Sequence, residues 1–228
     1  MTDAASASAL LGRLRGRLIV SCQPVVGGPL DRDDIVVALA EAVTGAGAAG
    51  LRIEGVARVA AVCRAVSVPV IGIVKIDLPD TPVRITPRLA DIDALAEAGA
   101  PIIAFDATGR ARPVPVAEMV ARIHRHGRIA MADVSTRAEG RAAAAAGADI
   151  VASTLAGYVA GPAPTEPDLA LVADLAADGF TVIAEGNVRT PEHAASALAA
   201  GAFAVVAGSA ITRPEHVTRW FLDALGTG

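Results

Sequence analysis

The sequence predicts a single (β/α)8 barrel of the TIM type, within the α/β class, and three observations carry that reading. Eight short aliphatic runs alternate with longer segments of helical spacing. Several helix exits repeat one dipeptide, Gly-Ala, directly before a strand. The chain's 228 residues lie close to the roughly 250 typical of eight βα units. No linker or low-complexity stretch interrupts the rhythm, so the expected domain is 1–228, with 1–16 as an N-terminal extension or helix.

The elements follow in order. Leu18–Cys22 is the first apolar run, and helical spacing follows over Asp33–Thr44. Gly47-Ala48 leads into the second run, Ala49–Ile53, and Val70–Val74 is the third. The helical segment Arg88–Ala98 ends at Gly99-Ala100 before Ile102–Phe105. Ala117–His126 precedes Ile129–Ala132, and Arg137–Ala146 ends at Gly147-Ala148 before Asp149–Ala152. Pro167–Asp178 precedes Thr181–Ala184, and Pro191–Ala199 ends at Gly201-Ala202 before Ala204–Ala207. The runs are too short for typical helices, and most are rich in β-branched residues, as buried parallel strands are. Glycine just past a helix end takes the left-handed position that a Cβ would strain. An open, doubly wound sheet is the rival fold, but its G-x-G-x-x-G fingerprint is absent after the first run.

Composition narrows the function classes. Hydrophobic residues make up 53% and aromatics 3%, so the core is built from Val, Ile, Leu and Ala. The net charge of −4 argues against non-specific nucleic-acid binding, which is driven by counterion release at many Lys and Arg contacts. It leaves room for a small anion held by a few local cations. Cys22 and Cys63 offer neither metal-ligand spacing nor a disulfide framework, which points to a reducing compartment. Arg13, Arg15 and Arg17 break up the apolar N-terminal residues, and no apolar run reaches about 18 residues. The expectation is a soluble, cytoplasmic protein with no membrane or nucleic-acid partner.

Barrel enzymes carry their chemistry at the C-terminal ends of the strands. Those ends hold Ser21-Cys22-Gln23, Arg52-Ile53-Glu54, Lys75-Ile76-Asp77, Asp106-Ala107-Thr108, Asp133-Val134-Ser135-Thr136, Ser153-Thr154, Glu185-Gly186-Asn187 and Gly208-Ser209. After Lys75 a long connection with Pro79, Pro82 and Pro87 leaves the same face, and such loops are often functional. Each position also has a plain structural reading. Asp133, Ser135 and Thr136 can cap the following helix, and Arg52 with Glu54 can form a solvated ion pair. Lys75 and Glu185 resist that reading, because a helix N-terminus gains nothing from a lysine and ionisable groups ringing a barrel mouth mark a site. Glycine-rich loops after strands seven and eight form the common phosphate site of such barrels, with backbone N–H groups and a short helix facing the anion. Gly186, Asn187, Gly208 and Ser209 occupy those loops, and Arg213 adds a permanently charged fork.

At this point the chain resembles the N-acetylmannosamine-6-phosphate 2-epimerases of bacterial sialic-acid catabolism. The matching stretches are LIVSCQ (18–23), GLRIEG (50–55), PVIGIVKID (69–77), VRITP (83–87), IIAFDAT (102–108), MADVST (131–136), STLAGY (153–158), VIAEGNVRTP (182–191) and AVVAGSAITRP (204–214). The resemblance implies catalysis by Lys75 and Glu185, with Gln23, Arg52 and Asp133 holding the sugar and its N-acetyl group and Arg213 binding substrate oxygens. It places the phosphate on the backbone near Gly186 and Asn187 and near Gly208 and Ser209. Two positions depart from the family: Ile76 stands where a basic residue is frequent, and Asn187 where Arg or Lys is usual. The second departure removes a side-chain cation beside the phosphate. Inverting C2 requires ring opening and removal of a proton next to the C1 carbonyl. An amine with its pKa lowered by burial and a carboxyl suit that task, with no metal or organic cofactor required. Another phosphate-binding barrel isomerase or decarboxylase, or a barrel that binds sugar phosphate without turnover, shares the phosphate loops. RITP and STLAGY favour the epimerase. The expected partner is a small sugar phosphate, and the expected assembly a homodimer.

Overall fold

The computed structural model describes residues 4–159 and 164–226; the remaining residues of the expected 1–228 domain lie outside the described residues. Eight parallel strands close into one barrel in sequence order. They are β1 (Leu18–Cys22), β2 (Gly50–Glu54), β3 (Val70–Ile73), β4 (Ile102–Asp106), β5 (Ile129–Asp133), β6 (Ile150–Ala152), β7 (Val182–Ala184) and β8 (Ala204–Ala207). The helices are α1 (Ala4–Gly12), α2 (Asp33–Gly45), α3 (Val56–Ala65), α4 (Leu89–Glu97), α5 (Val116–Arg125), α6 (Arg137–Ala145), α7 (Leu169–Ala177), α8 (Pro191–Ala199), α9 (Ser209–Thr212) and α10 (Pro214–Ala224). Among the described residues no helix is long and apolar enough to cross a membrane.

Successive residues of a strand point to opposite faces, and the two faces carry two separate cores. Inside the barrel lie Ile19, Ile71, Ile73, Ile102, Met131, Ile150, Ile183 and Val206. Between strands and helices lie Val20, Leu51, Ile53, Ile103, Phe105, Val151 and Val205, packed with helix residues such as Val59, Leu95, Ile123 and Leu175. The outer layer is tight where helices approach. A Cβ on Gly140 of α6 would fall 2.3 Å from Leu175 Cδ2, so only glycine lets α6 and α7 pack here. The floor is stoppered by Leu14, which is 1% exposed, and by Ala7, Leu10 and Leu11 packed behind it. Helix α1 and Leu14 just past it thus close one end of the barrel.

The two-residue period also decides what reaches the other end. Continuing the inward parity from Ile19 gives Ser21 and Gln23; from Ile73, Lys75; from Ile102, Asp106; from Met131, Asp133. The same step from Ala152 gives Thr154, from Ile183 gives Glu185, and from Val206 gives Gly208. The barrel therefore changes from an aliphatic plug to a polar mouth within one side-chain layer.

The proline-containing connection after β3 is an ordered part of that mouth. Lys75 bridges Ile85 in antiparallel fashion, Ile76 N–H donates to Arg84 O at 3.0 Å, and Asp106 N–H donates to Ile85 O at 3.0 Å. Thr86 sits buried with φ 47°, held by its hydroxyl donating to Ala104 O at 2.7 Å. Loop and strands β3 and β4 are stitched together.

Candidate active site

The mouth encloses a cavity of about 630 Å³ lined by Gln23, Lys75, Glu185, Gly186, Asn187, Gly208, Ser209 and Arg213, among others. Arg52 and Asp133, expected to hold the sugar, do not line it. They lie under its floor, 1% and 0% exposed. Arg52 donates to both Asp133 oxygens, Nη2 to Oδ2 at 2.6 Å and Nη1 to Oδ1 at 3.1 Å, and Nη1 also donates to Glu185 Oε2 at 2.8 Å. Thr154 Oγ1 donates to Asp133 Oδ1 at 2.7 Å and lies 3.3 Å from Glu185 Oε2. The physical reason is pairing: both side chains have inward parity, but the Arg52 guanidinium lies between the carboxylates of Asp133 and Glu185, and Asp133 also accepts from Thr154, so their hydrogen bonds are spent within this set. The same contacts settle the two structural readings raised by the sequence. Arg52 is no solvated partner of Glu54, and Thr136, not Asp133, caps α6 by accepting from Glu139 N–H.

Above this floor, Lys75 Nζ donates to Gln23 Oε1 at 2.6 Å, and Gln23 Nε2 donates to Ser21 Oγ at 2.7 Å. Arg213 Nε donates to Gln23 O at 2.6 Å, so the rim arginine and the lysine share one anchor. Ser153 fixes the Glu185 backbone by donating to its carbonyl at 2.9 Å and accepting from its N–H at 3.1 Å. The two ionisable groups are thus pre-aimed by contacts that no ligand has to supply.

Their proton affinities are displaced toward each other. Lys75 opens onto the cavity yet is hemmed in by protein on its other sides. That burial, with Arg52 and Arg213 nearby, lowers its pKa to about 8 against the opposing pull of Glu185 and Glu54. Burial lifts Glu185 to about 7, helped by Asp133 and opposed by Arg52 and Lys75. An amine and a carboxyl that both change protonation near neutrality can exchange protons with a carbon acid. Among the described residues no group of three or more His, Cys, Asp or Glu is placed to hold a metal ion.

The loops after β7 and β8 form the other end of the cavity. Gly186 and Asn187 are both left-handed, at φ 110° and 53°, a conformation that glycine and asparagine tolerate best. A Cβ on Gly208 would come 3.3 Å from Ser21 Cβ, so a side chain there would crowd the β1 end. Thr212 ties the short α9 back to β1 by donating to Ser21 O at 2.8 Å.

The sequence reading left several cavity residues without a role. Ser21, Asp106 and Thr154 were detectable from strand parity. Arg84 and Arg189 lie in the matching stretches VRITP and VIAEGNVRTP without a role assigned there, whereas Arg110 after β4 and His216 and Trp220 on α10 carry no local signal. They reach the cavity only through tertiary packing.

Known proteins resemble the chain along most of its length. The sequence profile of the family described as "Putative N-acetylmannosamine-6-phosphate epimerase" matches residues 36–227. A "Bifunctional enzyme NanE/NanK" of Brucella melitensis is 58% identical over 95% of this chain, which spans 42% of that longer protein. An Escherichia coli protein named "Putative N-acetylmannosamine-6-phosphate 2-epimerase" is 56% identical over 80% of each chain. A solved N-acetylmannosamine-6-phosphate 2-epimerase of Clostridium perfringens superposes with a TM-score of 0.91 at 38% identity, covering 94% of this chain and 96% of that one. With the barrel, the cavity and these matches in hand, the chain belongs to the N-acetylmannosamine-6-phosphate epimerase family.

Proposed function

We propose that this chain interconverts N-acetylmannosamine 6-phosphate and N-acetylglucosamine 6-phosphate. The observation that carries the reading is the pairing of Lys75 and Glu185 in one cavity, with pKa values of about 8 and about 7, beside two glycine-bearing phosphate loops. After ring opening, the Lys75 amine takes the C2 proton: the C–H bond breaks, an N–H bond forms, and the electron pair moves onto the C1 oxygen. Arg213 stabilises that developing oxyanion. Glu185, whose pKa burial lifts to about 7, then delivers its proton from its protonated form to the opposite face of C2 and the C1 carbonyl re-forms. Arg52 stabilises the carboxylate that results. Asp133 and Thr154 hold Arg52 and Glu185 in place rather than touching the sugar, Gln23 positions Lys75, and the backbone at Gly186, Asn187, Gly208 and Ser209 receives the phosphate.

The homodimer belongs to the same proposal. Phe221 and Leu225 on and just past α10 are 69% and 72% exposed, and an apolar strip of this kind is normally covered by a partner. A cytoplasmic location is supported by the free thiols of Cys22 and Cys63.

Incubating the purified chain with either hexosamine phosphate in D2O tests the reaction. The expected result is conversion in both directions with deuterium at C2 of the product. Product fully protonated at C2 would overturn the proton-transfer mechanism, and no conversion by a folded protein would overturn the function.

A further inference from the structure

Positive charge is distributed unevenly around the cavity. Four arginines line it: Arg84, Arg110, Arg189 and Arg213. Arg84 pairs with Asp77 and Arg110 with Asp106. Arg189 contacts no carboxylate among the described residues. Its Nη2 donates to Asn187 Oδ1 at 3.1 Å, and its guanidinium carbon stands 4.9 Å from the centroid of the Trp220 ring. Asn187 is held in turn, because its Nδ2 donates to Tyr158 OH at 2.9 Å.

The geometry leaves a specific capacity unused. Stacking occupies a face of the guanidinium, whereas its five N–H donors lie in the plane. One is committed to Asn187, a neutral acceptor that takes no charge away. The remaining edge belongs to a cation in the cavity wall, two residues from the Gly186–Asn187 turn and without a counter-ion. Stacking on Trp220 and the bond to Asn187 also restrict its rotamers, so little side-chain freedom is left to lose when an anion arrives. Asn187 emerges as the holder of that cation, which accounts for a neutral side chain at this position.

We infer that Arg189, clamped between Asn187 and Trp220, is the side-chain cation that binds the substrate's phosphate, doing from position 189 what position 187 does not. The inference rests on the sugar-phosphate reading above and adds to it a recognition residue and its two supports. Charge-assisted bidentate contact between guanidinium and phosphate is geometrically matched and about twice as strong as a neutral bond.

The test compares wild type with Arg189→Gln, Arg189→Lys and Trp220→Leu, using inorganic phosphate and N-acetylglucosamine 6-phosphate as calorimetric probes alongside turnover. Arg189→Gln should raise both Kd values and KM by about tenfold or more while kcat stays within about twofold, since phosphate contacts serve ground and transition states alike. Arg189→Lys should recover part of the loss, keeping charge without the stack. Trp220→Leu should weaken binding by about threefold. Equal phosphate affinity in wild type and Arg189→Gln would overturn the inference even if turnover were intact. Arg189-dependent phosphate binding without hexosamine turnover would support this site while refuting the function proposed above. Should Arg189→Gln fail to fold, Arg189→Lys decides: unchanged Kd and KM together with an unchanged Trp220→Leu overturn the clamp, and a partial loss supports it.

Discussion

The two sides of the barrel mouth treat charge in opposite ways. Over β3 and β4, Arg84 and Arg110 are closed onto Asp77 and Asp106, and Thr108 satisfies the remaining Asp106 oxygen through its N–H and hydroxyl. Over β7 and β8, among the described residues, Arg189 and Arg213 hydrogen-bond only to neutral oxygens, Asn187 Oδ1 and Gln23 O. A side that neutralises itself can shape a ligand but has no appetite for its charge. The side left cationic, beside Gly186 and Gly208, is where a dianion lowers the free energy most. In a chain of net charge −4, Arg189 thus stands on this side without a carboxylate partner among the described residues, while Arg213 feels the nearby carboxylate of Glu215. Between the two sides sits a third arrangement, in which buried Arg52 is shared between buried Asp133 and Glu185 on the cavity wall.

Breaking that central set should have the largest effect. Arg52→Met strands Asp133, 0% exposed, without its cation and should destabilise the fold by about 3–5 kcal/mol, read as a fall in the urea midpoint. A midpoint unchanged from wild type would mean that the three groups are not electrostatically coupled. Glu185→Gln is milder for the fold and should lower kcat by about 10²–10⁴-fold. Its pH profile is the sharper readout. In wild type the pair should give a bell with limbs near 7 and 8. The variant should retain a single limb at or somewhat below 8, because the Glu185 carboxylate is one of the groups that raise Lys75. Only the free amine accepts the C2 proton, so residual kcat/KM should rise with pH through that limb; a falling limb would make Lys75 the acid and reverse the two roles. The smallest effect tests the self-neutralised side. Arg110→Gln should cost about 1–3 kcal/mol of stability by leaving Asp106 less satisfied, yet change KM by less than about twofold. A tenfold rise in KM would show that the β3–β4 side also binds the substrate's charge.

The fold was legible because its strands are aliphatic and its helix exits repeat. Ile129–Ala132 as read from the sequence lengthens only to Asp133 in the structure, and Asp33–Thr44 only to Gly45. Which residues face the mouth was legible too, since Lys75 and Glu185 follow their strands directly. Which of them pair with one another was not. Arg52 and Asp133 stand in register with Ser21 and Asp106, which line the cavity, yet their own side chains close onto each other and Glu185, a pairing across β2, β5 and the end of β7 that no local pattern announces. Asn187 shows another kind of opacity. Read along the chain it is a missing cation, but its φ of 53° and its bonds to Tyr158 and Arg189 give it a holding task visible only after folding. Trp220 reaches the same wall from α10, more than thirty positions later, and nothing local announces it.

The stitched connection after β3 has a consequence for timing. Because Lys75 pairs with Ile85, and Thr86 accepts from Val74 N–H while donating to Ala104 O, the Lys75 amine stands at the start of a segment that is ordered before any ligand arrives. The freedom surrendered to hold it there is surrendered when the chain folds. A ligand therefore meets a finished surface, and under the proposed function the energy of its capture remains available for opening the sugar ring instead of arranging the loop around it.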